Sequence, residues 1–148
     1  MSGTTPTTHY IVYADDDRDD LELMRECFDK HAQNVELVTF ENGHSVHHFL
    51  TSISHTEPAP CLVILDINMP KLNGREVAQK LRCIKKFENV PIVLFTTSSQ
   101  PHDKIFARQL NIGFMTKPLN YRQMDSIAES FIEHCTDEIK KIIRKQVG

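Results

Sequence analysis

The sequence predicts an α/β domain: a parallel sheet covered by helices on both faces. Three observations lead there. Five short apolar runs recur along the 148 residues. Most of them are continuous rather than alternating, as expected of strands covered on both sides. The stretches between them carry apolar residues at helical spacing and are long enough for crossover helices. Repeated strand-then-helix units of this kind, with right-handed crossovers, build one sheet between two helical layers.

The first run, "YIVYA" (10–14), follows "MSGTTPTT" (1–8), a polar stretch predicted to be a disordered start. Five aspartates come next in "YADDDRDD", where like charges 4 Å apart near a surface repel by roughly 4 kcal/mol per pair. Such a cluster either spreads into water or surrounds something positive. Leu21, Met24 and Phe28 then mark one helical face. The second strand is "VELVTF" (35–40). It is followed by a helix containing "GHSVHHFL", whose His44, His47 and His48 stand at helical spacing with no cysteine or acid beside them. They read as a wet helix surface rather than a metal site. A polar loop, "SHTEPAP", precedes the third strand, "CLVIL" (61–65), and Val77, Leu81 and Ile84 give the third helix its apolar face. The fourth and fifth strands are "IVLF" (92–95) and "FMT" (114–116). In the last segment Met124, Ile127, Ala128, Phe131, Ile132, Cys135, Ile139, Ile142 and Ile143 keep a three-and-four spacing. That predicts an extended C-terminal helix over 120–146, roughly 40 Å long against strands of about 17 to 20 Å. The alternative is a break near Thr136, with the tail folded back over its own domain.

Composition narrows the function. The length suits one domain, here 9–148, with no room for an output domain. The balance of 17 Lys and Arg against 20 Asp and Glu has no basic block for nucleic acid. No apolar run is long enough to cross a bilayer, and the start has no signal-peptide character, so the chain reads as cytoplasmic. Cys27, Cys61, Cys83 and Cys135 stand far apart without CxxC pairing and read as reduced, buried thiols.

In an open parallel sheet, ligands bind outside the carboxyl ends of the strands. Asp15 and Asp16 follow the first strand, Asp66 the third, Thr96 and Thr97 the fourth, and Lys117 with Pro118 the fifth. Carboxylates, hydroxyls and one ammonium would therefore converge on one edge.

These residues lie in "ADDD", "VILDINMPKLNG", "PIVLFTT" and "TKP", four motifs in order, each at a strand end. Through them the chain, from about residue 8 to residue 135, resembles the receiver domains of two-component response regulators. The resemblance implies a flavodoxin-like, doubly wound five-stranded parallel sheet of order 2-1-3-4-5 with five helices. It implies phosphorylation of Asp66 by a sensor histidine kinase or phosphotransfer protein. It further implies Mg²⁺ held by Asp15, Asp16, Asp66 and the backbone carbonyl of Asn68, with Lys117 as the fixed positive charge. Thr96 matches the switch hydroxyl and Phe114 the switch aromatic; a core aromatic is the other reading of Phe114. Asp17, Asp19 and Asp20 are expected to begin the first helix, Asp17 being close enough to influence the metal.

The expected role is a stand-alone phosphorylation switch rather than a turnover enzyme, signalling through a downstream protein target. The fourth-helix to fifth-helix face and the C-terminal extension are candidates for a homodimer or docked partner. Two alternatives are a Mg²⁺-dependent phosphohydrolase of the haloacid dehalogenase type, which would need an acid where Asn68 stands, and a pseudo-receiver that works without phosphorylation. The kinase, target and phosphate lifetime are not encoded legibly.

Overall fold

Alternation along each strand sends successive side chains to opposite faces, so a sheet with continuous apolar strands needs two cores. A computed structural model of the chain, describing residues 9–97, 100–120 and 126–145, has this organisation. Its strands are β1 (Tyr10–Ala14), β2 (Glu36–Phe40), β3 (Leu62–Leu65), β4 (Ile92–Thr96) and β5 (Gly113–Thr116). All are parallel, in the order β2-β1-β3-β4-β5. The helices are α1 (Arg18–His31), α2 (Gly43–Thr51), α3 (Gly74–Arg82), α4 (Pro101–Gln109), α5 (Ile127–Ile132) and α6 (Asp137–Ile143), with a 3₁₀ turn at Lys85–Phe87.

On one face Ile11, Tyr13, Leu62, Ile64, Val93 and Phe95 pack with α1, α5 and α6. On the other, Val12, Ala14, Val63, Leu65, Ile92 and Leu94 pack with α2, α3 and α4. The central strands β1, β3 and β4 thus bury both faces, which is why their sequences are unbroken apolar runs. Ile84 lies past the end of α3, in the turn that leads to the 3₁₀ segment, where it still packs on the second core.

The continuous C-terminal helix is corrected. Met124 lies outside the described residues, and the helix breaks between Ile132 and Asp137. Thr136 adopts extended backbone (φ −66°, ψ 158°), and its side-chain oxygen accepts from the N–H of Ile139, starting α6 in a new direction. The reason is burial. A straight helix would leave Ile139, Ile142 and Ile143 in water, whereas the break puts Ile143 fully inside and packs Ile139 and Ile142 on the α1 side core. The returning chain is held by Gln33 N–H to Ile143 O (2.8 Å), Asn34 Nδ2 to Ile142 O (3.1 Å) and an antiparallel bridge between Ala32 and Arg144. Arg144, at the end of α6, pairs with Glu129 of α5 and Glu133 at its C-terminus. The apolar stripe offered above as a homodimer surface is therefore spent within the same chain.

None of the four cysteines forms a disulfide; Cys27 and Cys135 are buried and Cys61 half-buried, but Cys83 is exposed, so the expectation of buried thiols fails there. Among the described residues no helix is long and apolar enough to cross a membrane.

Candidate functional site

The loops at the carboxyl ends of the strands are held by hydrogen bonds that continue the sheet past its last paired residues. Asp15 N–H donates to Phe40 O (3.0 Å), Asp66 N–H to Ala14 O (3.0 Å) and Lys117 N–H to Thr96 O (2.8 Å). Three residues from distant parts of the sequence are thereby fixed by backbone before any side-chain contact is made. Gly74 adds to this: a Cβ there would meet the Asp66 carbonyl oxygen at 2.2 Å, so only glycine lets α3 begin directly against the Asp66 backbone.

The side chains then meet around one ammonium. Lys117 Nζ lies 2.7 Å from Asp15 Oδ2, 2.9 Å from Asp20 Oδ2 and 3.0 Å from Asp66 Oδ2, with its side chain only 10% exposed. Its ring neighbour is Phe95, with the ammonium 5.8 Å from the ring centroid. Burial by itself would lower the lysine's pKa, but the hydrogen bonds to Asp15 and Asp20 and the charges of Asp15 and Asp66 raise it above the ordinary range. Asp66 is pushed up to about 6, chiefly by burial and then by the Asp15 charge, against the opposing pull of Lys117. Asp66 Oδ1 accepts from the Asn68 N–H at 3.2 Å.

Asp15 is completely buried and uses both oxygens: Oδ1 accepts from Asp17 N–H (2.9 Å), Oδ2 from the Tyr13 hydroxyl (2.6 Å) and from Lys117. Asp16 is exposed. One carboxylate oxygen from each of Asp15, Asp16 and Asp66 falls within 4.8 Å of the others, the one group of three or more such ligands among the described residues. The donor set is oxygen only, which suits a hard divalent cation and not zinc or copper. The histidines of α2 make no comparable group; His44 and His48 are exposed and His47 half-buried.

Asp17 caps α1, accepting from the N–H groups of Asp19 (2.9 Å) and Asp20 (3.4 Å), as expected for a carboxylate at a helix start. Asp20 departs from that expectation, since its carboxylate turns inward to Lys117. Burial raises its pKa while Lys117 opposes the rise. Thr96 is fully buried at the end of β4, and Thr97 is exposed in a cleft of about 250 Å³ lined also by Asp17, Asp20, Lys117 and Leu119. Phe114 lies on the edge strand β5, half-buried against the core under α2 to α4, with Lys104 Nζ 5.9 Å from its ring centroid.

Sequence reasoning had no role for Tyr13, nor for Asp20 beyond the helix start. Period-two alternation carried the signal for Tyr13, because residues 13 and 15 of an extended strand point the same way. For Asp20 no local signal existed: its partner is 97 residues away.

Comparison with known proteins is consistent with this geometry. The family model described as "Response regulator receiver domain" matches residues 11–129. Response regulator Rcp1 of Synechocystis sp. is 28% identical over 127 residues, 84% of this chain and 86% of that protein. Stress response regulator protein 1 of Debaryomyces hansenii is 30% identical over 97% of this chain, which spans about half (54%) of that protein. Among solved structures, the phosphorylated cyanobacterial phytochrome response regulator RcpA aligns with a TM-score of 0.76 at 25% identity, covering 86% of this chain and 96% of that one. The Mn²⁺-bound form of Rcp1 aligns with a TM-score of 0.75 at 27% identity, with the same coverage.

Proposed function

Because the chain belongs to the response regulator receiver family, we propose that Asp66 is its phosphoacceptor and that the domain signals through phosphorylation-dependent contacts with other proteins. The single observation that carries this is the Lys117 ammonium 3.0 Å from a buried Asp66 carboxylate at the carboxyl edge of the sheet. An Asp66 oxygen attacks the phosphorus of a phosphohistidine on a kinase or phosphotransfer protein. The new P–O bond forms as the P–N bond breaks, its electron pair staying on the imidazole nitrogen, which then takes a proton. Little covalent chemistry is asked of the protein beyond positioning and charge neutralisation. The Asn68 N–H orients the carboxylate, Lys117 supplies a fixed positive charge for a phosphoryl oxygen, and the Thr96 hydroxyl, on the neighbouring strand β4, is the proposed further donor to the phosphoryl group.

The cation we propose is Mg²⁺, held by Asp15, Asp16, Asp66 and the backbone carbonyl of Asn68; the oxygen donor set and the Mn²⁺-bound structure of Rcp1 support it. When bound it neutralises charge on the phosphoryl oxygens. That RcpA has been solved in a phosphorylated form supports a phosphorylated state of this chain. Phe114, half-buried on the edge strand β5 beside β4, is the proposed relay from Thr96 to the surface. Ile105 of α4 and Leu119 after β5 are exposed large apolar side chains, which supports docking of a downstream partner through α4 and the residues after β5.

Incubation with acetyl phosphate and Mg²⁺, followed by mass spectrometry, tests the reading. One phosphoryl group on the native chain and none on Asp66→Ala is expected. No adduct on the native chain, or the same adduct on the variant, overturns it.

A further inference from the structure

Lys117 serves more acids than a phosphorylated site would leave it free to serve. An ammonium has three protons, and Asp15, Asp20 and Asp66 each lie within 3.0 Å of Nζ. Once Asp66 carries a phosphoryl group, one of those protons is needed at a phosphoryl oxygen, so an existing bond must be given up. Asp15 can release the lysine and stay satisfied, because the Tyr13 hydroxyl and the Asp17 N–H remain on its two oxygens. Asp20 sits nearer the mouth of the cleft, its side chain 16% exposed, where water can replace the ammonium. Until it does, Asp20 competes for Lys117 and sets a negative charge beside the incoming phosphoryl oxygens.

We infer that Asp20 is a positioning residue that acts through Lys117 to disfavour the phosphorylated state, slowing formation of the acyl phosphate and shortening its life. The inference rests on Asp66 being the phosphoacceptor. In the hydrolysis that ends the signal, a water oxygen forms the new bond to phosphorus, the bond to the Asp66 oxygen breaks, and the carboxylate and inorganic phosphate are left. An ammonium drawn away by Asp20 and a neighbouring negative charge both raise the starting state for that step.

The test compares the native chain with Asp20→Asn, Asp20→Glu and Asp19→Asn. The last removes the same charge one residue away, from an exposed side chain. After phosphorylation with acetyl phosphate and removal of the donor, Asp20→Asn is expected to hold its acyl phosphate about threefold longer or more. Asp19→Asn is expected to match the native chain, and Asp20→Glu to lie near it. A merely structural role for Asp20 would lower the melting temperature without moving this lifetime. A second readout needs no phosphodonor: in NMR, the ammonium protons of Lys117 should exchange with water faster in Asp20→Asn than in the native chain or Asp19→Asn. A lifetime for Asp20→Asn equal to native, or equal to that of Asp19→Asn, overturns the inference alone. Unchanged ammonium exchange overturns it as well. A native chain that takes up no phosphoryl group overturns the receiver reading, and this inference with it, whatever the exchange data show.

Discussion

The Tyr13 hydroxyl donates to Asp15 Oδ2 at 2.6 Å with both groups buried, Tyr13 near the end of β1 and Asp15 directly after its last residue. Burial first, and then the neighbouring Asp15 charge, hold the tyrosine far above its ordinary pKa, so it remains a neutral donor. A hydrogen bond to a charged group contributes about 1.5–3 kcal/mol. Tyr13→Phe, which keeps the ring among Phe95 and its neighbours, should therefore lower stability by about 2 kcal/mol. Urea denaturation with an unchanged slope measures it; a variant as stable as native would mean that Lys117 and the Asp17 N–H satisfy Asp15 by themselves.

Asp16 stands apart from its two metal-site companions in being exposed. Crowding with Asp15 and Asp66 should destabilise the metal-free fold, and Mg²⁺ at a hundredfold excess over its dissociation constant should stabilise the chain by about 2.7 kcal/mol. Asp16→Asn is expected to be at least as stable as native without metal and to respond more weakly to it. Thermal melts with and without Mg²⁺ decide; lower stability of the metal-free variant would refute the repulsion argument.

Asp66, pushed up to about 6 by burial and by Asp15, makes stability depend on pH in a definite direction. In the unfolded chain the group titrates near its ordinary value of about 4. Between about pH 4 and pH 6 the folded chain thus keeps a proton that the unfolded chain has released, so this contribution is full below about pH 4 and is lost as pH rises through 6. Replacing Asp66 with Asn should flatten that part of the metal-free stability profile between about pH 4 and 6. Phosphorylation by acetyl phosphate should also fall on acidification, because only the carboxylate is nucleophilic, with Mg²⁺ moving the midpoint below 6.

The C-terminal return can be tested directly. Ile143 is fully buried against the α1 side core, so Ile143→Ala should cost about 2–5 kcal/mol. Truncation after Cys135 should also destabilise the chain, while leaving its sedimentation unchanged. A native dimer that becomes a monomer on truncation would show that the tail works between chains rather than within one.

The sheet and the strand-end residues were legible because both depend on short-range pattern. Continuous apolar runs report strands buried on two faces, and Asp15, Asp16, Asp66, Thr96 and Lys117 each follow directly on such a run. Once the strands are parallel, their carboxyl ends must lie together. The strand order was legible only through the resemblance, since periodicity does not rank neighbours. Three features were decided by tertiary structure alone. Ile139, Ile142 and Ile143 keep helical spacing with the residues before them, yet the chain breaks at Thr136 because packing on the α1 side buries more apolar surface than a straight helix could. Cys83 is exposed because it lies just past the end of α3, a location its spacing from the other cysteines does not encode. Asp20 looks like any acid in a first helical turn, and its ion pair with Lys117 exists only because the fold carries that lysine to the same edge, where its largely buried ammonium pairs with Asp15, Asp20 and Asp66.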